Sequence, residues 1–226
     1  ILTPGVASLL TPHHFDFKQS SARIVHFGLP SLHEQMDGPW QECENGWLYS
    51  LKQAKLAGLQ TNLELVAGCE KVLRKIVLPC LSHLDTLIVN DFEIGALAEI
   101  KTISNDETIP EAIIEAAGKV LSLGSMNLVV VHFPRGAILI ERNGRVISQP
   151  SVNIPPDKIV GTNGAGDAFA AGVLYGLHES WDLAECLKLG HAASAACLRS
   201  VETYTSVQNV KCCMALTEKW GWRSRP

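Results

Sequence analysis

Short runs rich in Val, Ile and Leu alternate with segments of helical period along the first part of this chain. The runs show little alternation of polar and apolar residues, which is typical of strands buried on both faces of a sheet. We expect strands within residues 22–28, 59–65, 86–90 and 127–133, and helices at 46–57, 69–80, 91–100 and 109–123. Strand, helix and strand in succession predict a parallel sheet that is covered by helices.

The pattern changes after Phe133, in the stretch GAILIERNGRVISQ. Asn143 and Gly144 stand there between two strand-like runs, and an Asn-Gly pair in that position is a strong signal for a β-hairpin. Helices are then expected at 165–178, 182–198 and 206–220. The sequence therefore predicts a single α/β domain over residues 1–226, with a mostly parallel sheet, helices on both faces and an antiparallel hairpin at one edge. Ligands of such sheets bind at the carboxyl ends of the strands.

Composition narrows the classes of partner. The chain has 226 residues, of which 46% are hydrophobic and 19% charged, so it can bury a substantial core. Its net charge of −4 supplies no broad basic face, which disfavours nucleic acid and anionic membranes as partners. No apolar run is long enough to cross a bilayer. We therefore expect neither a nucleic-acid partner nor a membrane partner.

The cysteines indicate a reducing compartment. They are odd in number, form no Cys-x-x-Cys pair and mostly lie in apolar segments, so we expect free thiols in a cytoplasmic protein. A zinc site assembled from scattered cysteines and histidines is the alternative to small buried side chains. The seven positions are Cys43, Cys69, Cys80, Cys186, Cys197, Cys212 and Cys213.

The stretch GTNGAGDAFAAG places a flexible loop immediately before an expected helix. The first amides of that helix have no acceptor within the helix, and together with the helix dipole they favour a bound anion. We expect the amides of Gly164, Ala165 and Gly166 to form an anion hole. Asp167 then suits a general base for phosphoryl transfer to a hydroxyl. The alternative is that its carboxylate only stabilises the helix N-terminus.

A dinucleotide fingerprint is a competing interpretation of the same glycines. That motif runs G-x-G-x-x-G after the first strand of a βαβ unit. Here the glycines at Gly161, Gly164 and Gly166 follow the order G-x-x-G-x-G, late in the chain. A dinucleotide-dependent oxidoreductase is therefore the weaker hypothesis.

The loop resembles the C-terminal signature of the ribokinase-like carbohydrate kinases, usually D-T-x-G-A-G-D before a helix of small residues. VNDFEIGAL is similar to the N-x-x-E element of that family, at Asn90 and Glu93, and HAASAACL resembles the helix lining its adenine pocket. The resemblance implies ATP-dependent phosphorylation of a hydroxyl on a sugar or sugar-like small molecule. It implies ATP and Mg²⁺ as cofactors and allows a homodimer. The nucleotide contacts that it implies are Thr162, Asn163, Asn90, Arg135, Gly136, His191 and Ala195.

Asn90 and Glu93 have two interpretations. Asparagine at a helix N-cap followed by glutamate three residues later is close to a capping box, in which each side chain binds a free backbone amide. In the family that the sequence resembles, this pair organises Mg²⁺ and its waters around the triphosphate. Carboxylate and water are ligands that magnesium prefers.

The sequence also departs from the family pattern. Gly161 replaces the opening aspartate, which in relatives belongs to a monovalent-cation site, so we expect a weak response to K⁺. Phe133 stands where the nucleotide-facing loop usually has glycine. The chain starts at Ile1 and resembles relatives only from about residue 22, so most of the N-terminal sugar-binding and lid portion is expected to be absent. The missing portion and the altered nucleotide-facing loop favour an alternative function, a non-catalytic nucleotide-binding or regulatory protein.

Overall fold

A computed structural model describes residues 5–66 and 68–225; Ile1 and the other positions outside these ranges are not described. The chain divides into two compact units. The first unit runs to Val131 and includes Ile140–Arg145, and the second comprises His132–Leu139 and the residues from Val146 onward. The single domain over residues 1–226 stays a prediction.

The main sheet has six strands in the order β1-β2-β3-β6-β7-β8. β1 and β2 are parallel, with Ile24 opposite Gln60, and β2 and β3 are parallel, with Asn62 opposite Thr86. A small antiparallel pair, β4 and β5, was not expected. The strands are β1 Ile24–Phe27, β2 Gln60–Leu63, β3 Thr86–Asn90, β4 Ile103–Ser104, β5 Glu107–Thr108, β6 Leu128–Phe133, β7 Gly136–Glu141 and β8 Val146–Pro150. The expected α/β class with a mostly parallel sheet is confirmed.

The hairpin at the sheet edge is also confirmed. β7 and β8 are neighbours joined by four residues, a connection short enough only for antiparallel strands. Gly144 adopts a φ of +91°, and its amide donates to the carbonyl of Glu141 at 2.9 Å. Asn143 accepts from the amide of Arg145 at 2.8 Å, so the Asn-Gly pair forms the turn as expected.

Each of the expected helices is present in the described ranges, two of them with an end shifted by three or more residues, and the short helix Glu34–Asp37 was not expected. The helix expected at 69–80 ends at Val77 and continues as a 3-10 turn, Leu78–His83, because Pro79 has no amide for the α-helical ladder. The last helix begins at Val210, where Asn209 caps it by accepting from the amide of Cys212 at 3.0 Å. The helices are α1 Glu34–Asp37, α2 Gly46–Leu56, α3 Glu70–Val77, α4 Asp91–Ala98, α5 Pro110–Leu123, α6 Ala165–His178, α7 Leu183–Cys197 and α8 Val210–Trp220.

Each unit has its own core. In the first unit the side chain of Trp47 is fully buried on α2, and its ring nitrogen donates to Asp37 at 2.8 Å. In the second unit α6 and α7 approach so closely that a Cβ added to Gly172 would lie 2.8 Å from the Cα of Gly190. Two facing glycines therefore fix the position of α6, the helix that follows the glycine loop.

Five of the seven cysteines are buried, while Cys69 and Cys212 are exposed, and all seven thiols are free. This agrees with cysteines that serve as small buried side chains. Across the described part of the chain, no group of three or more His, Cys, Asp and Glu side chains is placed to hold a metal ion. None of the described helices combines the length and the apolar character that a bilayer span needs.

Candidate active site

The glycine loop leads directly into α6 in the second unit. Gly164 is the N-cap and adopts a left-handed φ of +77°, a conformation that favours glycine. A Cβ added to Gly166 would lie 3.1 Å from Cε1 of His132. The loop therefore needs glycine for its backbone conformation at one position and for close packing at another.

Asp167 is the third residue of α6, and its side chain is exposed. The amides that precede it belong to the first turn, where intrahelical acceptors are missing. Among the three residues expected to form an anion hole, Ala165 also donates to the carbonyl of Thr162 at 3.3 Å. Local geometry thus places Gly164, Gly166 and the carboxylate of Asp167 within one helical turn.

An irregular segment, residues 198–206, packs against the glycine loop. The amides of Val160 and Gly161 donate to the carbonyl of Leu198 at 2.8 and 3.4 Å. A Cβ added to Gly161 would lie 2.7 Å from the carbonyl oxygen of Ser200. This contact could not be predicted, because the segment has neither helical nor strand periodicity.

Aromatic contacts lie behind the loop. The ring of His132 is 5.1 Å from that of Phe169, and Phe169 is 4.9 Å from the ring of His191, centroid to centroid. His191 is buried and its Nε2 donates to the carbonyl of Gln149 at 3.2 Å. Burial lowers the pKa of His191 to about 3, so its ring is neutral near pH 7. His132 was not expected here, although it is the one polar side chain in the strand LVVVHF.

The remaining residues expected at the nucleotide occupy different environments. Ala195 is buried on α7. Arg135 is exposed at the turn between β6 and β7, and its guanidinium donates to the hydroxyl of Ser224 at 3.2 Å. Gly136 is buried at the start of β7, whereas Asn163 is exposed in the glycine loop. Nucleotide contacts at these positions stay predictions.

Asn90 and Glu93 form a complete capping box in the first unit. The amide of Glu93 donates to Oδ1 of Asn90 at 2.8 Å, and the amide of Asn90 donates to Oε2 of Glu93 at 3.0 Å. Glu93 is buried, and burial raises its pKa to about 7, with smaller contributions in the same direction from the charges of Glu64 and Asp91. The capping interpretation of the two residues is therefore confirmed.

A magnesium role for the pair must be compatible with these bonds. The capping box occupies Oδ1 of Asn90 and Oε2 of Glu93, so the pair does not by itself form a set of direct ligands. It fits a hydrated ion held through water, which is how magnesium is often bound. The charges of Glu64 and Asp91, which raise the pKa of Glu93 less than its burial does, favour a cation nearby.

A second polar cluster in the first unit was not expected from the sequence. Nε2 of His26 lies 2.8 Å from Oε2 of Glu64, and Nδ1 lies 2.7 Å from the amide group of Asn62. The residues come from β1, from β2 and from just after β2. They lie toward the carboxyl ends of two neighbouring parallel strands, the edge at which ligands of such sheets bind.

The fold and the loop define a class: an α/β protein with a glycine loop at a helix N-terminus. The family described as "pfkB family carbohydrate kinase" matches residues 33–210, which is more than half of the sequence. The chain belongs to the pfkB family of carbohydrate kinases, so the resemblance inferred from its motifs is confirmed.

Individual relatives agree with this family. Adenosine kinase 1 of Arabidopsis thaliana is 28% identical over 126 residues, which cover 55% of this chain and 37% of that protein. The solved structure of Arabidopsis thaliana ribokinase with ribose and ATP is 27% identical, has a TM-score of 0.63, and is matched over 75% of this chain and 51% of that one. Ribokinase of Thermotoga maritima shares the fold at a TM-score of 0.71 and 21% identity, over 96% of this chain and 64% of that one.

The matches span only part of each relative. The chain spans 34–37% of the length of the adenosine kinases that it matches. For this chain, the activity of these relatives is therefore a proposal.

Proposed function

We propose that this protein transfers the γ-phosphoryl group of ATP to a hydroxyl of a sugar or sugar-like molecule. The observation that carries the proposal is Asp167, an exposed carboxylate in the first turn of the helix that begins at the glycine loop. A carboxylate beside amides that hold an anion is the arrangement that phosphoryl transfer to an alcohol requires.

In this reaction Asp167 takes the proton from the acceptor hydroxyl as its oxygen attacks the phosphorus. The amides of Gly164 and Gly166 stabilise the negative charge on the phosphoryl oxygens. Both tasks depend on position, because little covalent chemistry is left for the protein in phosphoryl transfer. The rigid packing of α6 against α7 through Gly172 and Gly190 supports that positioning.

Mg²⁺ is proposed as the metal cofactor, with Glu93 and Asn90 acting through its water ligands. When bound with the nucleotide, magnesium neutralises charge on the transferring phosphoryl group. Glu93 contributes a buried carboxylate that is fixed by the amide of Asn90 at 3.0 Å. The capping box therefore also orients the carboxylate.

A non-catalytic nucleotide-binding protein is the second candidate. It is favoured by Gly161, where the family has an acidic residue and where the carbonyl of Ser200 occupies the neighbouring space. Calorimetric titration with ATP, combined with a panel of ribose, fructose, sugar acids and nucleosides as acceptors, separates the candidates. Turnover with any acceptor supports the kinase, whereas ATP binding without transfer to any of them supports the binding protein. NAD binding without ATP binding would indicate the oxidoreductase.

A further inference from the structure

Backbone contacts lock the glycine loop to the segment 198–206. A Cβ added to Gly164 would lie 2.7 Å from Cβ and 2.9 Å from the carbonyl oxygen of Thr203. Gly161 approaches Ser200 in the same way. At both glycines, only a hydrogen atom fits between the loop and the segment. The segment is therefore part of the structure that holds the loop in place.

The thiol of Cys197 lies where the loop and the segment meet. Cys197 is the last residue of α7 and is fully buried. Its Sγ lies 3.1 Å from the carbonyl oxygen of Thr203 and 3.5 Å from that of Asn163. The thiol has one proton, which it can share between a carbonyl of the segment and a carbonyl of the loop.

We propose that Cys197 is a positioning residue for the anion hole, acting through the carbonyl of Asn163. The carbonyl of Asn163 and the amide of Gly164 belong to one planar peptide group and point in opposite directions. A thiol that holds the carbonyl toward α7 consequently directs the amide of Gly164 away from α7. This assignment rests on the proposed phosphoryl transfer, for which that amide is a donor.

The geometry distinguishes this role from simple filling of space. Gly164 has a φ of +77°, and glycine can rotate easily out of that conformation. A small side chain without a donor, such as alanine, leaves the Asn163 carbonyl without the thiol. The peptide plane is then free to tilt, and a donor that is misaligned by a small angle loses much of its effect on a transition state.

Cys186 provides a matched control on the same helix. It is also buried on α7, but it lies in the first turn of that helix, more than ten residues before Cys197. Its Sγ lies 3.8 Å from the carbonyl of Trp181, and within the described residues it forms no hydrogen bond with a carbonyl of the loop. Replacing either cysteine with alanine removes one buried sulfur and one weak donor. Only the change at Cys197 affects the peptide group of the anion hole.

The test compares C197A, C197S and C186A in the full chain. We expect kcat of C197A to fall about tenfold with the KM for the acceptor unchanged, because one donor is misaligned and the acceptor site is not. C197S, which keeps a donor, retains most of the activity, and C186A keeps kcat while losing thermal stability. Calorimetry gives the stoichiometry of ATP binding, and hence the fraction of molecules in each preparation that can bind ATP. Each kcat is divided by that fraction.

Amide hydrogen exchange provides a readout that does not depend on turnover. The amide hydrogens of residues 160–168 should exchange faster in C197A than in the unmodified protein. In C186A their exchange should be the same as in the unmodified protein. Full kcat in C197A, or unaltered exchange of residues 160–168, would overturn the assignment. If the unmodified protein transfers phosphate to no acceptor, the proposed function fails, and the exchange measurement still decides whether Cys197 orders the loop.

Discussion

Gly161 faces the backbone of Ser200 so closely that a Cβ on Gly161 would lie 2.7 Å from the Ser200 carbonyl oxygen and 3.1 Å from the Cα of Val201. The position that bears an aspartate in the resembled family is therefore closed to a side chain here. Gly161 therefore cannot supply the carboxylate that would pair with a cation bound by the loop carbonyls.

Activity should consequently respond weakly to K⁺. The initial rate is measured against KCl at constant ionic strength, with choline chloride as the balancing salt, and should rise less than about tenfold, the equivalent of about 1.4 kcal/mol. A larger rise would show that a potassium site survives. G161D should not create a K⁺ response, and it should lower the free energy of unfolding because its Cβ collides with the Ser200 carbonyl.

Helix packing gives a prediction about stability. G172A introduces a Cβ 2.8 Å from the Cα of Gly190, so α6 and α7 must separate. We expect the free energy of unfolding to fall by about 1–3 kcal/mol. The matched control is G118A on α5, where no atom lies within 4 Å of the added Cβ. It should raise stability by about 0.5–1 kcal/mol. Denaturant titration measures both, and equal effects would contradict the packing argument.

The buried ring of His191 should make the stability of the fold depend on pH. Burial lowers its pKa to about 3 from an ordinary value of 6.5, so between these values the unfolded chain binds a proton that the folded protein does not. The contribution of His191 is fully present above about pH 6.5 and decreases as the pH falls toward about 3. When the pH falls from about 7.5 to about 5, the thermal unfolding midpoint should therefore decrease less in H191L than in the unmodified protein. A slope unchanged in H191L would refute the prediction.

Much of this architecture could be predicted from local sequence signals. β6 and the hairpin at Asn143-Gly144 are specified by apolar runs and turn chemistry, and Asn90 with Glu93 by cap spacing. The contacts of Ser200 and Cys197 with the glycine loop could not be predicted, because they join an irregular segment to a loop more than thirty residues away in the chain. His132 is similar: its importance depends on the absence of a side chain at Gly166, which only the packed structure shows.

Glu93 allows capping to be separated from a role with the metal. E93Q keeps an oxygen that can accept from the amide of Asn90 and removes a carboxylate whose burial is unfavourable, so stability at pH 8 should be equal or higher. The Mg²⁺ concentration for half-maximal rate should increase and kcat should fall by about tenfold or more. E111Q, in the exposed first turn of α5, is the control and should change neither. A normal magnesium dependence in E93Q would restrict Glu93 to capping.

Asp167 is the proposed general base, and D167N tests that role. The amide keeps the size of the side chain and its place at the N-terminus of α6 but cannot accept the proton. D182N, at the N-cap of α7, is the matched control, because that side chain accepts from the amide of Ala184 at 2.9 Å and has no role in the proposed reaction.

The measurement is phosphoryl transfer to the best acceptor by D167N and D182N, together with calorimetric ATP binding by the same preparations. We expect D167N to lose about a thousandfold in kcat, within the range of general-base catalysis, and to bind ATP nearly as tightly as the unmodified protein. D182N keeps an oxygen that can cap α7, so it should change stability little and keep its turnover. Retained turnover in D167N, or an equal loss of turnover and ATP binding with the fold intact, would contradict the assignment of Asp167 as the general base.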